Sequence, residues 1–406
     1  MIRLKSILKA DNTLALAVFL LLIFGLVMIT SIGVPKSIQL SAPGVLYPNC
    51  GDPNVDCYLL FKNHLVRLGA SLAAFFVAFK LPFEFWKKTS ILFFFGMFFL
   101  LVFVLMSGDA YGTIAKSWLV FSGTSLQPTE FAKLALVLYM AYFLSKKGRK
   151  VSDFYDGFIP FVIMSAVIIV PVLMQPDLGS TLVIGVIAVS MYFVAGANWK
   201  HLLVGALGAT MLAIILIASI PHVRDRFESF MRVDAECMED SCWQSKQANI
   251  AVGSGGLFGR GLTQGVQKSY WLPQATDDFI FAASAEELGF LRIILIVIAY
   301  FVIAQRGFYV ANHAKSSYES LVAVGITVWI VMQAFINIAV NTALIPVTGI
   351  PLPFVSYGGS SLLASMVGVG ILLSISAQTG SNARNIHRRR DSRSRHPKPG
   401  RYRRIN

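Results

Sequence analysis

The sequence predicts an all-α polytopic membrane protein with ten transmembrane helices. Three observations predict it. Of 406 residues, 55% are hydrophobic and only 14% charged, where a soluble domain carries about 25% charged residues. Ten apolar runs approach the ~20 residues needed to cross a bilayer. The lysines and arginines between them fall on alternate loops. The runs are continuous and lack period-two alternation, so helices rather than a β-barrel satisfy the backbone in lipid.

The runs lie near residues 14–32, 64–80, 90–107, 130–145, 157–174, 179–197, 202–220, 279–304, 318–343 and 358–377. The fourth is short and contains Lys133. The fifth and sixth are split at Gln175-Pro176-Asp177, a turn signal. The first run lacks a small-residue cleavage site and is expected to remain as a span. Lys/Arg bias sets orientation. Arg3, Lys5 and Lys9 precede the first span, and Lys87 and Lys88 lie between the second and third. Lys146, Lys147, Arg149 and Lys150 follow the fourth, Lys200 the sixth, and Arg306 and Lys315 the eighth. An arginine-rich tail follows the tenth. All fall on one side, which places both termini in the cytoplasm.

The opposite face holds segments 33–63, 108–129, 175–178, 221–278 and 344–357. The large extracytoplasmic loop 221–278 lies between helices 7 and 8. A structureless loop of that length is unusual, so short helices are expected in it, with turns around Gly253–Gly261. All four cysteines lie on this face. An oxidising exterior suits two short-range disulfides, Cys50–Cys57 and Cys237–Cys242, with free thiols as the alternative. Their spacing matches no common zinc site. Residues 1–379 read as one membrane domain and 380–406 as a basic, disordered cytoplasmic tail. The net charge of +14 does not point to nucleic acid, because ten of the 35 Lys and Arg lie in the last 23 residues. There they suit anionic lipid head groups.

Polar residues in or beside a membrane invite a functional reading, and three segments concentrate them. The first is WLVFSGTSLQPTEFAK, from Trp118 to Lys133. Pro128 opens the fourth span at a tolerated position, and Glu130 and Lys133 share a helix face. They read equally well as a snorkelling anchor and as a charge pair lining a cavity. The second is WLPQATDDFIFAASAEELG, from Trp271 to Gly289. Asp277 and Asp278 precede a helix whose dipole favours them; either could also act as a general base on a sugar hydroxyl. Glu286 and Glu287 would lie about 12–13 Å deeper along span eight and need partners, with Arg292 one candidate. The third runs from Asn337 to Ser361. Pro346, Pro351 and Pro353 forbid a continuous helix, so an irregular segment lining a cavity is expected. Its Ser356-Tyr357-Gly358-Gly359-Ser360-Ser361 run offers hydroxyls and amides either to an anion or to simple capping.

The stretch Ala251–Gly261 is glycine-rich but fits neither phosphate-loop spacing. Lys116, Arg224, Arg226, Arg260 and Lys268 share the face of the carboxylates and together could hold a pyrophosphate. There is no HExxH, no GxSxG and no Cys-His pair.

QPTEFAK (127–133), LMQPDLGSTLV (173–183), AVGSGGLFGRGL (251–262), VQKSYWLPQATDDFIFA followed by EELG (266–289) and VTGIPLPFVSYGGSS (347–361) resemble the SEDS family (shape, elongation, division and sporulation), the FtsW/RodA group. The resemblance covers spans one to ten. It implies a peptidoglycan glycosyltransferase that polymerises lipid II outside the cytoplasmic membrane, with a class B penicillin-binding protein and other divisome or elongasome proteins as partners. It places the catalytic aspartate at Asp278, as general base toward the acceptor sugar's 4-hydroxyl, with undecaprenyl pyrophosphate leaving. Trp118, Gln127, Glu130, Lys133, Gln247 and Lys268 match family positions around the cavity, and Ser356 in the SYGGSS run joins them as a substrate-binding candidate. A divalent cation, Mg or Mn, could assist the pyrophosphate, although no ligand spacing requires one. A lipid II flippase and a non-catalytic scaffold are the alternatives.

The chain departs from the family pattern in three places. Where the family has His-Thr-Asp or Gln-Thr-Asp, this chain has Thr276-Asp277-Asp278, and the extra carboxylate should raise a neighbouring pKa. Lys116-Ser117 and Lys62-Asn63-His64 each lack an arginine of the pattern, for which Arg67 or Arg260 could compensate. Val266-Gln267-Lys268 and Gly368–Leu373 look more like the division-type branch.

Overall fold

A computed structural model describes residues 10–43, 50–108, 117–121, 124–231 and 240–393. Helix α1 (Asn12–Ile32) is capped by the Asp11 carboxylate, which accepts from Leu14 N. A short α2 (Val34–Ser41) follows. Then come α3 (Leu59–Lys80), α4 (Phe83–Ser107), a hairpin of β1 (Leu119–Phe121) and β2 (Thr124–Leu126), and α5 (Pro128–Lys147). Pro128 stands in the first turn of α5, where its missing N–H costs nothing. Helices α6 (Ile159–Met174) and α7 (Leu178–Val194) are separated at Gln175–Asp177, and Asp177 caps α7 by accepting from Ser180 N. Helix α8 (Trp199–Ser219) leads into α9 (Pro221–Met231) and α10 (Asp240–Gly255), the short helices expected between residues 221 and 278. Then follow α11 (Ile280–Leu288), α12 (Phe290–Asn312), α13 (Ser317–Asn341) and α14 (Gly359–Arg393).

The apolar runs fall on helical segments, the eighth of them on two. Among the described residues, seven helical stretches are long and apolar enough to span a membrane by themselves, and α7 is a shorter apolar helix. The core is the pair α13 and α14, with 83% and 89% of their apolar windows buried. α14 lies along α3, and α13 packs on α12, α7 and α5. At the other extreme, α8 has no buried residue. An apolar helix without a buried residue suits contact with lipid.

Two expectations change. Span eight is not one helix over 279–304. It breaks at Gly289, whose φ of +76° suits glycine and terminates α11. The break is held by the glycine-rich stretch. Phe290 N and Leu291 N donate to the Gly256 and Leu257 carbonyls, and Arg260 N and Gly261 N donate to those of Glu286 and Glu287. A Cβ on Gly259 would stand 2.3 Å from Glu287 O. Glycine is therefore needed for two backbones to meet, not for a phosphate. The tail changes as well. α14 runs through Arg393, past the boundary expected at 379, although its apolar part ends at Gln378. No proline interrupts the chain between Pro353 and Pro397. Residues 394–406 lie outside the described residues.

Cys50 and Cys57 form the expected disulfide, with Cα atoms 5.7 Å apart. Cys242 is also disulfide-bonded; Cys237, its expected partner, lies outside the described residues.

Candidate active site

Three sequence-distant segments meet around Asp277 and Asp278. The loop ahead of α11 is fastened through three successive carbonyls. Tyr357 N donates to Thr276 O at 3.0 Å, and the Ser356 hydroxyl donates to Asp277 O at 2.5 Å. The Asn337 and Asn341 amides donate to Asp278 O at 2.8 and 2.9 Å. Asn341 Oδ1 also accepts from Ala282 N, and Asn337 donates to Ile350 O. Two asparagines one turn apart on α13 thus bind α11, the aspartate loop and the 347–357 segment into one unit. That segment is irregular, as its prolines require.

With the backbone held, the two carboxylates diverge. Asp277 Oδ2 lies 2.7 Å from Lys36 Nζ and accepts from the Thr276 hydroxyl. Among the described residues, no hydrogen bond or ion pair reaches the Asp278 carboxylate. It lies against the turn at Gly349, where an added Cβ would be 3.7 Å from its Oδ2. Burial, and then the charge of Asp277, push the Asp278 carboxyl up to about 7. Asp177 adds to the rise, while Lys36 and Arg226 oppose it. The like-charge effect expected of Asp277 is present, but burial is the larger cause.

Arg226 on α9 is the guanidinium of this cavity. It makes one long hydrogen bond, 3.4 Å to Val347 O, and senses both Asp177 and Asp278. Burial pulls its pKa down and the two aspartates oppose that; an arginine remains charged regardless. Asp177, pushed upward by burial, also receives Gln127 Nε2 at 3.4 Å. Gln127 N donates to Ser360 Oγ, which joins the start of α5 to the start of α14.

The other expected cations are elsewhere engaged. Arg224 pairs with Glu228, and Arg260 Nε lies 3.7 Å from Glu286. Lys268 Nζ is 2.7 Å from Glu287 Oε1 and 3.2 Å from Ser31 O. Lys116 lies outside the described residues. Arg67 donates to Tyr357 O with its guanidinium 4.3 Å above the Tyr357 ring, so it reaches the SYGGSS turn. Ser356 is buried and uses its hydroxyl on Asp277 O and Leu352 N, which makes it a fastener of the loop. Trp118 is half-buried beside β1, and Gln247 is buried on α10.

Glu130 and Lys133 do not snorkel. Both side chains are fully buried, 2.7 Å apart, and Lys133 also donates to Gln333 Oε1. Gln333 accepts from Trp329 and donates to Pro351 O and Ser361 Oγ. A desolvated ion pair persists only with such added hydrogen bonds. The network ties α5 to α13 and to the 351–361 turn. Arg292 is not the partner of the glutamates; it donates to Phe258 O and Leu288 O. Glu287 accepts instead from Lys268, the Ser31 hydroxyl and Thr263 N, and Glu286 from Val266 N and Gln267 N.

The same stretch of chain, residues 12–381, matches the family model described as cell cycle protein, FtsW/RodA/SpoVE. The chain belongs to this family. A FtsW/RodA/SpoVE relative from Trichlorobacter lovleyi, named "Probable peptidoglycan glycosyltransferase FtsW", is 33% identical over 369 residues, 90% of this chain and 93% of the relative. Stage V sporulation protein E of Bacillus subtilis is 40% identical over 327 residues, covering 79% and 88%. Among solved structures, Thermus thermophilus RodA matches with a TM-score of 0.65 and 26% identity, covering 91% of this chain and 97% of RodA. A chain from a peptidoglycan synthase complex that coordinates polymerization and crosslinking matches with a TM-score of 0.74 at 24% identity, covering 92% and 99%. That last likeness concerns the fold.

Within this FtsW/RodA/SpoVE fold, sequence reasoning named Asp278 but passed over four residues that surround or fasten it. Lys36 gave no signal, because a lysine just outside a span is ordinary. Asp177 looked like a turn residue. Asn337 and Asn341 did carry a signal: two amides at i and i+4 in an apolar helix need partners on one face.

Proposed function

We propose that this chain is a peptidoglycan glycosyltransferase that polymerises lipid II at the outer face of the cytoplasmic membrane, in the division-type manner of its FtsW-named relatives. One observation carries the reading: Asp278 is a carboxylate on an immobilised backbone, without a protein partner among the described residues, pushed up to about 7 beside a guanidinium. A base with a pKa near the working pH is the effective kind. The Asp278 carboxylate takes the proton of the acceptor's 4-hydroxyl as that oxygen bonds to the anomeric carbon of the lipid-linked donor. The bond from that carbon to the pyrophosphate oxygen breaks, and the electron pair leaves on undecaprenyl pyrophosphate. Arg226 faces the leaving charge, with Arg67 behind the SYGGSS turn. Glu130, Lys133, Lys268 and Ser356 hold the walls, and Gln127 positions Asp177.

Among the described residues, no three His, Cys, Asp or Glu side chains come together as a metal-binding set. A Mg or Mn ion that could assist the pyrophosphate would be held partly by the substrate's own phosphates, and no step above runs through a metal. Ten spans with both termini cytoplasmic are part of the proposal, supported by the lysine and arginine distribution. So is a class B penicillin-binding protein as partner, which the family resemblance implies.

The test is glycan polymerisation from purified lipid II, with and without the cognate penicillin-binding protein. Wild type should form polymer. Asp278→Asn should form none, and Asp277→Asn should still polymerise. Loss confined to Asp277→Asn would move the base by one residue. No polymer from wild type even with the partner would favour the flippase or the scaffold.

A further inference from the structure

The Lys36–Asp277 ion pair has no part in the reaction just described. Both members are partly exposed, at 36% and 25%, and a pair so open contributes little to stability. Its placement gives it another use. Asp277 adjoins Asp278, and the carbonyls of both are fastened. Lys36 Nζ also donates to Gln274 Oε1 at 3.2 Å, so one ammonium grips the aspartate loop twice. The helix that carries it is clamped from behind. Leu60 N donates to Ser37 Oγ, and Asp56 N donates to Ser41 Oγ. Asp56 in turn adjoins the Cys50–Cys57 disulfide. The ammonium therefore rests on a braced support.

We propose that Lys36 is a positioning residue for glycosyl transfer that acts through Asp277: it neutralises the extra carboxylate beside the base and ties the aspartate loop to α2. This rests on Asp278 being the base. The charged groups facing Asp278 are Asp277 on its own loop, Lys36 on α2, Asp177 ahead of α7 and Arg226 on α9. With Lys36 present, two cations oppose the two neighbouring carboxylates. Without it, two carboxylates face one guanidinium, and the base holds its proton more tightly.

The experiment is the pH profile of lipid II polymerisation for wild type, Lys36→Met, Lys36→Arg, Asp277→Asn and the double variant Lys36→Met/Asp277→Asn. Lys36→Met should move the acidic limb upward by about half to one pH unit. The rate below the limb then falls by about three- to tenfold and recovers at alkaline pH. Asp277→Asn should move the limb downward. The double variant should bring it back near the wild-type position, and Lys36→Arg should keep it there. A loss equal at every pH in Lys36→Met, or a double variant displaced as far as Lys36→Met, would overturn the proposal. Polymerisation by Asp278→Asn would instead overturn the base assignment beneath it. A limb unmoved by Lys36→Met while Asp278→Asn stays inactive would remove Lys36 alone.

Discussion

Two acidic pairs stand nine residues apart on the same stretch of chain, Asp277-Asp278 and Glu286-Glu287, and the structure treats them in opposite ways. The glutamates are buried and supplied with donors: three backbone N–H groups, a hydroxyl and the Lys268 ammonium. The aspartates share one ammonium, which goes to Asp277. Asp278 has its carbonyl bound twice and its carboxylate left unsupplied among the described residues. A buried carboxylate with every donor it needs builds a fold, because its charge is already compensated. One whose backbone is fixed and whose charge is not compensated is ready to take a proton. Glu286 and Glu287 are fully buried and Asp278 half-buried, and the sharper difference between the two pairs is the supply of donors.

That contrast can be broken in order of expected effect. Asp278→Asn should lower the rate of glycan polymerisation by about 10²–10⁴-fold, the usual contribution of a general base, with unchanged thermal unfolding in detergent. Unfolding lowered along with activity would make Asp278 a structural acid after all. Glu287→Gln should do the reverse. It leaves the Lys268 ammonium, 7% exposed, without its counter-charge, at a cost of about 3–5 kcal/mol, read as a lower unfolding temperature. A variant as stable as wild type would mean that the pair contributes nothing.

Asn341→Ala removes donors from Asp278 O and an acceptor from Ala282 N. It should cost about 1–3 kcal/mol and lower the turnover number more than the affinity for lipid II, since it loosens the base without touching substrate. A change in affinity alone would place Asn341 in the binding surface. The smallest effect is the pH dependence. Because the Asp278 carboxyl is raised to about 7, it is protonated and inactive as a base below that pH. Activity should therefore rise as the pH passes upward through about 7. A profile flat from pH 6 to 8 would contradict the raised value.

Much of this was legible in linear order. The span positions follow from apolar runs, the turn at Gln175–Asp177 from its residue types, and the irregular segment near Pro351 from prolines that no helix interior admits. The disulfide at Cys50–Cys57 followed from cysteines confined to one face. Asp278 was singled out through its motif; the physics of the sequence left it level with Asp277. What misled was continuity. Residues 279–304 read as one apolar helix, because hydropathy cannot register a glycine with positive φ. Glu130 and Lys133 read as membrane-edge charges, because their partner Gln333 lies 200 residues away.

The sequence by itself determined which segments are apolar enough to cross a membrane, since that depends on the composition of each segment. Only the tertiary structure decided which charges are compensated. Lys268 goes to Glu287 and Lys36 to Asp277, 19 and 241 residues apart, and no pairing rule written in sequence distance distinguishes these partners. The reason is physical. Compensation of a charge depends on distances of a few ångströms across segments that meet only when the helices have packed, and Asp278 is left over by that packing.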